Sequence, residues 1–383
     1  MDLKLSVPVI IIAILLLAIT LYGFWVRDQP ARFGELQGLD DFYLYRVSSY
    51  ALDHGLSLPV PDYYRNYPFG THPEFDQPLP FLMAPAFYLA LGQPGHFLDF
   101  AIHWPAIGGA VSVFFLFFLV RELGKRVFRK RDSESGNGAS ALHLYTRWLP
   151  ELAGLFAAFF AAVTPAFINR TGAGNYEKEG TAAFFLTLML WLFARAYIKK
   201  DWRCGVAAGF ALVGLVWSWG GSAYFFILFA AFTLLGLLLD LDVERFAAAY
   251  VPTILIGLLV PLLYPQHLDL LGPPALVSLL VVGLLAVRMG AQRFKLVKES
   301  QLKFIVAALF VIGMLAVTGL WYAGVEPVAG KVDGLLNILS LTPGVELSTV
   351  AESQPGGWGD VVARTAPDLA NQALPWLAPV TGY

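Results

Sequence analysis

The sequence predicts an all-α polytopic transmembrane bundle with long outer loops, on three observations. Hydrophobic residues make up 57% of the 383 residues, charged residues only 14%, and the mean hydropathy is +0.62. Soluble domains carry about a quarter charged residues, so this balance excludes an ordinary soluble fold. Apolar runs long enough for one helix each across a hydrocarbon core recur along the chain, and they are continuous rather than alternating, which fits helices and not barrel strands. Basic clusters fall in every second connection, the pattern that orients membrane helices.

The spans are expected, in order, at 6–26, 98–120, 148–168, 180–198, 204–218, 223–240, 247–264, 271–288 and 303–323. A further one starting in "NQALPWLAPV" would make nine to ten. The first lacks a basic leader and a small-residue cleavage site, so it reads as an anchor and not a signal peptide. The loop "RELGKRVFRKRDSESGNGAS" is strongly basic and is expected on the cytoplasmic side, with "RAYIKKDWR" and "RMGAQRFKLVKESQLK" on the same side. The opposite face then receives residues 27–80, the stretch from Arg170 to Glu179, the short "WSWGGSA", "PQHLDLL" and a long segment at roughly 325–370. Cys204 is the single cysteine, which excludes internal disulfides and a cysteine-based metal site. The net charge of −2 carries no sign of a nucleic-acid partner.

The outer face holds the unusual residues. "GLDDFYLYRVSSYALDHG" sets Asp40, Asp41 and Arg46 among aromatics, and "YPFGTHPEFDQPLP" adds His72, Glu74 and Asp76. "RTGAGNYEKE" brings Arg170, Glu177 and Glu179, and "ELSTVAESQPGGWGD" brings Glu346, Glu352 and Asp360. Acidic residues in outer loops are most often simply solvated. Carboxylates drawn from distant segments to one membrane face also suit a divalent cation held by oxygen, Mn²⁺ or Mg²⁺. Such a cation fits a phosphorylated substrate, whose leaving-group charge it neutralises.

Three of these segments, taken together, resemble the catalytic subunit of oligosaccharyltransferase. "DDFYLYR" is similar to that family's D-x-[YF]-[YF]-x-Y-R stretch with Asp40 in first place, and "RTGAGNYEKE" sets Arg170 seven residues before Glu177 with Glu179 beyond. "STVAESQPGGWGD" resembles its Ser/Thr-rich stretch ending in Glu, here Glu352, and "WSWGG" its tryptophan-rich turn. The resemblance implies a GT-C type membrane glycosyltransferase. It would transfer a lipid-linked oligosaccharide, on a polyprenyl or dolichyl phosphate or pyrophosphate, to asparagine in an Asn-x-Ser/Thr sequon of a polypeptide. It implies a multi-pass membrane protein with its active site on the outer face of the cell membrane or the lumenal face of the endoplasmic reticulum.

The resemblance further implies that Asp40, Glu177, Glu179 and Glu352 hold Mn²⁺ or Mg²⁺, with Asp41 and His72 as further candidates. Asp40, Glu179, Glu352 and Arg170 would be the catalytic set, Glu352 closing the site from a mobile outer loop. Arg170 either braces the carboxylates or approaches the substrate. The family's pattern has Asp where Glu177 stands, and its W-W-D-x-G motif is not among these residues, so the chain is expected to be an N-terminal portion without the soluble acceptor-binding domain. Two other functions fit in part. A secondary transporter would set its ionisable groups at mid-membrane on broken helices, not in outer loops. Another polyprenyl-phosphate-sugar transferase would share the acidic first loop but not the later Glu-Gln-Pro segment.

Overall fold

The computed structural model describes residues 7–73, 77–134, 140–263, 273–294 and 299–325, with 330, 332 and 333. Glu74, Asp76, Glu346, Glu352, Asp360 and "NQALPWLAPV" lie outside the described residues. In chain order the first six helices are α1 Val7–Asp28, α2 Leu39–Asp53, α3 Pro78–Ala90, α4 Phe97–Glu134, α5 Ser140–Val163 and α6 Pro165–Thr171. They are followed by α7 Lys178–Lys199, α8 Trp202–Val216, α9 Ala223–Leu238, α10 Val243–Leu259, α11 Pro273–Arg293 and α12 Glu299–Tyr322.

Each of the nine expected segments coincides with a helix, but fewer meet the requirements of length and hydropathy for a crossing. Among the described residues six do: Val7–Phe33, Phe97–Val127, Lys178–Lys199, Gly220–Leu238, Val243–Leu263 and Pro274–Arg293. The segment expected as one straight span at 148–168 is broken, α5 and α6 meeting at 62°, and makes a seventh if counted as one. Helix α8 has only 15 residues, about 22 Å, against a hydrocarbon core of about 30 Å. The chain is an integral membrane protein: α1 exposes Val7, Ile14 and Leu17, and a soluble chain would not leave such a surface to water.

Residues 27–80, expected as a loop, hold helix α2, and α3 begins at their end. Helix α3 opens with proline at its first position, where no N–H is required, and α2 starts after Gly38 with the Asp41 carboxylate accepting the Gly38 N–H at 2.5 Å. Both are too short to register as spans, which is why a search for apolar runs passes over them.

The chain divides into two compact units, residues 1–225 with 244–268, and residues 226–243 with 269–383. In the first, α4 packs against α1, α5 and α7, and α7 also packs on α8. Lipid is as apolar as leucine, so close backbone approach matters more here than removal from water. Gly108 of α4 lies against the carbonyl of Gly180 of α7, where a Cβ would come within 2.4 Å of that oxygen. A Cβ on Gly205 of α8 would come within 2.3 Å of the Ala248 carbonyl of α10. One core, with Leu16, Val113, Phe117, Leu155, Ala158 and Ala162, fills the middle of the α1, α4 and α5 contact. A second, with Ala84, Tyr88, Phe97, Ile102, Trp104 and Tyr176, joins α3, the head of α4 and the segment before α7. In the second unit, buried Arg288 of α11 donates to the Leu237 carbonyl at 2.5 Å and pairs with Asp240, closing the C-terminal end of α9.

Candidate active site

The stretch from Thr171 to Glu179 is held by backbone and side-chain bonds to three other segments. The Ala173 N–H donates to the Arg27 carbonyl at 2.8 Å, and the Gly174 N–H to the Ile102 carbonyl at 2.8 Å. The Gly174 carbonyl accepts from the Gln37 N–H at 3.0 Å, and the Tyr176 hydroxyl donates to Ser48 Oγ of α2 at 3.0 Å. Gly174 sits at φ +84°, and a Cβ there would come within 2.8 Å of the Glu35 carbonyl, so both conformation and space require glycine. Tyr176 is buried, which raises its hydroxyl pKa and keeps it a neutral donor.

The same clamp delivers the acidic pair. Glu177 is the N-cap of α7 and Glu179 lies in its first turn, where the helix dipole favours negative charge. The Gly108–Gly180 contact then fixes this turn against α4. Lys178, between the two, is exposed.

Helix α2 turns Asp41 inward and leaves Asp40 exposed. Neighbours on a helix point about 100° apart, so only one of the pair can face inward. Asp41 shares the buried face with Ser48, two turns on, and is fully buried, while Asp40 is exposed. The resemblance implies Asp40 as the ligand and Asp41 as a further candidate, because motif spacing carries no information on helix phase.

Three carboxylates therefore share one end of the first unit. Burial pushes the Glu177 carboxyl up to about 7, the charges of Glu179 and Asp41 and a hydrogen bond with Glu179 add to this, and Arg170 opposes it. Arg170 Nη1 lies 3.6 Å from Glu177 Oε2. Asp41 is also raised, first by burial, against the Gly38 and Gln37 amides, with Asp40 and Glu179 adding repulsion. Asp41 Oδ1 and Glu179 Oε2 are buried and accept no hydrogen bond. His72 is exposed, next to Thr71, which bridges to Asp62, and Glu352 lies outside the described residues. Arg46 pairs with Asp62 and stacks over Tyr43 at 5.6 Å and Tyr64 at 5.2 Å.

Among the described residues, no three Asp, Glu, His or Cys side chains close to metal-binding distance. The donor type fits a hard divalent cation nonetheless: oxygen only, with two buried and unpartnered atoms. The described residues supply part of such a shell, and a further ligand would be needed to complete it.

Sequence reading missed Arg27, which is fully buried without a carboxylate partner among the described residues. It donates to Thr171 Oγ1 at 2.9 Å and to the carbonyls of Gly23, Ala162 and Ala161 at 3.0, 2.9 and 2.9 Å. Its place at the end of an apolar run was the available signal.

Comparison with known proteins gives a family. The family description "oligosaccharyl transferase STT3, N-terminal" matches residues 140–335, just over half of the chain. The STT3B subunit of dolichyl-diphosphooligosaccharide–protein glycosyltransferase from Oryza sativa subsp. japonica is 36% identical over 107 residues, 28% of this chain and 15% of that protein. The STT3 subunit from Saccharomyces cerevisiae is 25% identical over 238 residues, 58% of this chain and 33% of that protein. The apo crystal structure of the Archaeoglobus fulgidus oligosaccharyltransferase matches with a TM-score of 0.68 at 19% identity, over 89% of this chain and 40% of that one. The archaeal oligosaccharyltransferase AglB from the same organism, solved with an inhibitory peptide and a dolichol-phosphate, matches at 0.66 and 17% identity, over 88% and 40%. These structures share the fold. The chain spans about a third or less of the length of these curated relatives.

Proposed function

Because the chain belongs to the oligosaccharyl transferase STT3 family, we propose that it forms the membrane part of a glycosyltransferase acting on asparagine. The donor is an oligosaccharide on a polyprenyl or dolichyl phosphate or pyrophosphate, and the acceptor a polypeptide bearing Asn-x-Ser/Thr. The observation that carries this reading is the carboxylate cluster of Asp41, Glu177 and Glu179, two of whose oxygens are buried without partners. The bundle is of GT-C type with nine to ten crossings, α8 and α12 included. Its acidic end faces the outside of the cell membrane or the lumen of the endoplasmic reticulum.

Asp41, Glu177 and Glu179 would hold Mn²⁺ or Mg²⁺, and Glu352 would be a further ligand. A cation bound there offsets charge on the departing phosphate. The carboxylates also accept hydrogen bonds from the acceptor amide and aim its nitrogen at C1 of the sugar. The N–C1 bond forms, the C1–O bond to phosphate breaks with its electron pair leaving on oxygen, and the amide proton passes to a carboxylate. Arg170 sits beside Glu177 and offsets the repulsion within the cluster.

The test supplies the membrane-embedded protein with lipid-linked donor, a fluorescent Asn-x-Thr peptide and Mn²⁺. Glycopeptide should form, stop with EDTA, return with Mn²⁺, and be suppressed in Glu179→Gln and Glu352→Ala. Glycopeptide that survives both EDTA and Glu179→Gln would overturn the metal site. Sugar delivered to a hydroxyl or a lipid would reassign the protein to another polyprenyl-phosphate-sugar transferase.

A further inference from the structure

The far end of α4, α5 and α7 carries charge that the acidic cluster does not use. Counting 13 residues along α4 from Gly108 to Arg121, it lies about 20 Å from the Gly180 crossing. Buried Glu122 has Arg195 Nη1 at 3.7 Å and Lys199 Nζ at 3.7 Å. Glu151 of α5 accepts from Arg121 Nε at 3.1 Å and has Lys125 Nζ at 3.8 Å. Among the described residues, these ion pairs set four cations against two carboxylates, a surplus of two positive charges within the pairs. The second oxygen of Glu151, Oε2, is buried and accepts no hydrogen bond, although its residue is only 9% exposed.

Beside this group lies a cavity of about 180 Å³ between α1, α4 and α5. Its lining includes Ile12, Leu16, Phe117, Phe118 and Trp148, together with Arg121 and Glu151. Ala13, which also lines it, is exposed on the flank of α1 that faces lipid. A dry cavity of about 150 Å³ takes up benzene, so there is room for part of an acyl chain. An ion pair alone would account for Arg121 and one oxygen of Glu151. It leaves the second oxygen, the surplus charge and the apolar hollow without a purpose.

We propose that this cavity holds one anionic membrane phospholipid whose headgroup bears hydroxyls, of the phosphatidylglycerol or phosphatidylinositol kind. The acyl chain lies along Leu16, Phe117 and Phe118. The phosphate meets Arg121 and Lys125, as basic pockets between membrane helices hold anionic headgroups. A headgroup hydroxyl donates to Glu151 Oε2 and satisfies a buried acceptor that the described residues leave open here.

The experiment is native mass spectrometry of the full chain in detergent, challenged with phosphatidylglycerol, phosphatidylcholine or phosphatidylmethanol of equal chain length. Phosphatidylmethanol has the charge without the hydroxyls. Phosphatidylglycerol should be retained over phosphatidylcholine by about 30-fold, the effect of two interfacial cations, and over phosphatidylmethanol by several-fold. Arg121→Gln with Lys125→Gln should remove the first preference, and Ala13→Trp should lower retention of all three lipids. Equal retention of phosphatidylglycerol and phosphatidylcholine by the wild-type chain overturns the site. Equal retention of phosphatidylglycerol and phosphatidylmethanol overturns the contact with Glu151. Both comparisons use the unaltered protein, so a variant that fails to fold leaves them intact.

Discussion

Arg27 completes a hydrogen bond that Pro165 leaves open. Its Nη2 donates at 2.9 Å to the Ala161 carbonyl, which a residue with an N–H at position 165 would otherwise satisfy. Nη1 serves the Ala162 carbonyl, and Thr164 takes the extended backbone expected before proline. The bend between α5 and α6 is thus held by a guanidinium from α1, whose own carbonyl anchors Ala173. One residue connects the broken span to the loop that leads from Arg170 of α6 to Glu177.

Arg27→Ala should therefore loosen the bend, leaving the Ala161 and Ala162 carbonyls and the Thr171 hydroxyl short of a donor. Each buried, unsatisfied group costs about 1–3 kcal/mol, and partial relaxation brings the expected total to about 3 kcal/mol. Thermal unfolding in detergent reads this, and Arg27→Lys should recover only part, because one ammonium cannot span the four acceptors. An Arg27→Ala protein as stable as wild type would show that the bend is held by something else.

At the α4–α7 crossing, Gly108→Ala would drive a methyl to 2.4 Å from the Gly180 carbonyl oxygen, backbone that has no side-chain freedom to yield. Such overpacking costs about 1–3 kcal/mol and shifts the first turn of α7, so both stability and transfer should fall. Gly283→Ala in α11 is the control. A Cβ there meets nothing within 4 Å, and the change should be neutral or stabilising by up to about 1 kcal/mol.

The two neighbouring aspartates separate by helix phase. Asp41→Asn should lower Mn²⁺ affinity and transfer by about 100-fold, the scale of losing one ligand or its support. Asp40→Asn, on the exposed flank, should keep both within about threefold. The opposite ranking, measured by Mn²⁺ titration and glycopeptide yield, would return the ligand role to Asp40.

Glu177 makes the metal-free protein sensitive to pH. Its carboxyl stands at about 7 in the folded state against an ordinary 4.5, chiefly through burial, so folding favours the protonated form. That contribution to stability is whole below pH 4.5 and is lost as pH rises through 7. Asp41, raised for the same first reason, acts in the same direction. In EDTA the Tm should fall as pH rises from 5 to 8, and Mn²⁺ should raise it more at pH 8 than at pH 5. Glu177→Gln should flatten the slope; an unchanged slope would remove Glu177 as its source.

Much of this protein is written locally. Continuous apolar runs specify helices because a membrane leaves no other partner for backbone groups, and each expected run overlaps a helix, the one at 148–168 being broken into two. The acid pair at Glu177 and Glu179 and its nearby Arg170 were legible from spacing, since residues this close must stay together. What spacing does not encode is direction. Whether Asp40 or Asp41 turns inward depends on the face by which α2 meets its neighbours, through Ser48 and Tyr176, a contact across 128 positions of sequence.

The break at Pro165 and its repair by Arg27 belong to the same class. A proline inside an apolar run can kink a helix or be tolerated, as Pro105 is in α4, and the local sequence reads alike in both cases. Composition and pattern alone determined that the chain is a helical membrane protein. Only the tertiary structure decided which carboxylates meet, because burial and unpartnered oxygens arise from surfaces brought together across the bundle.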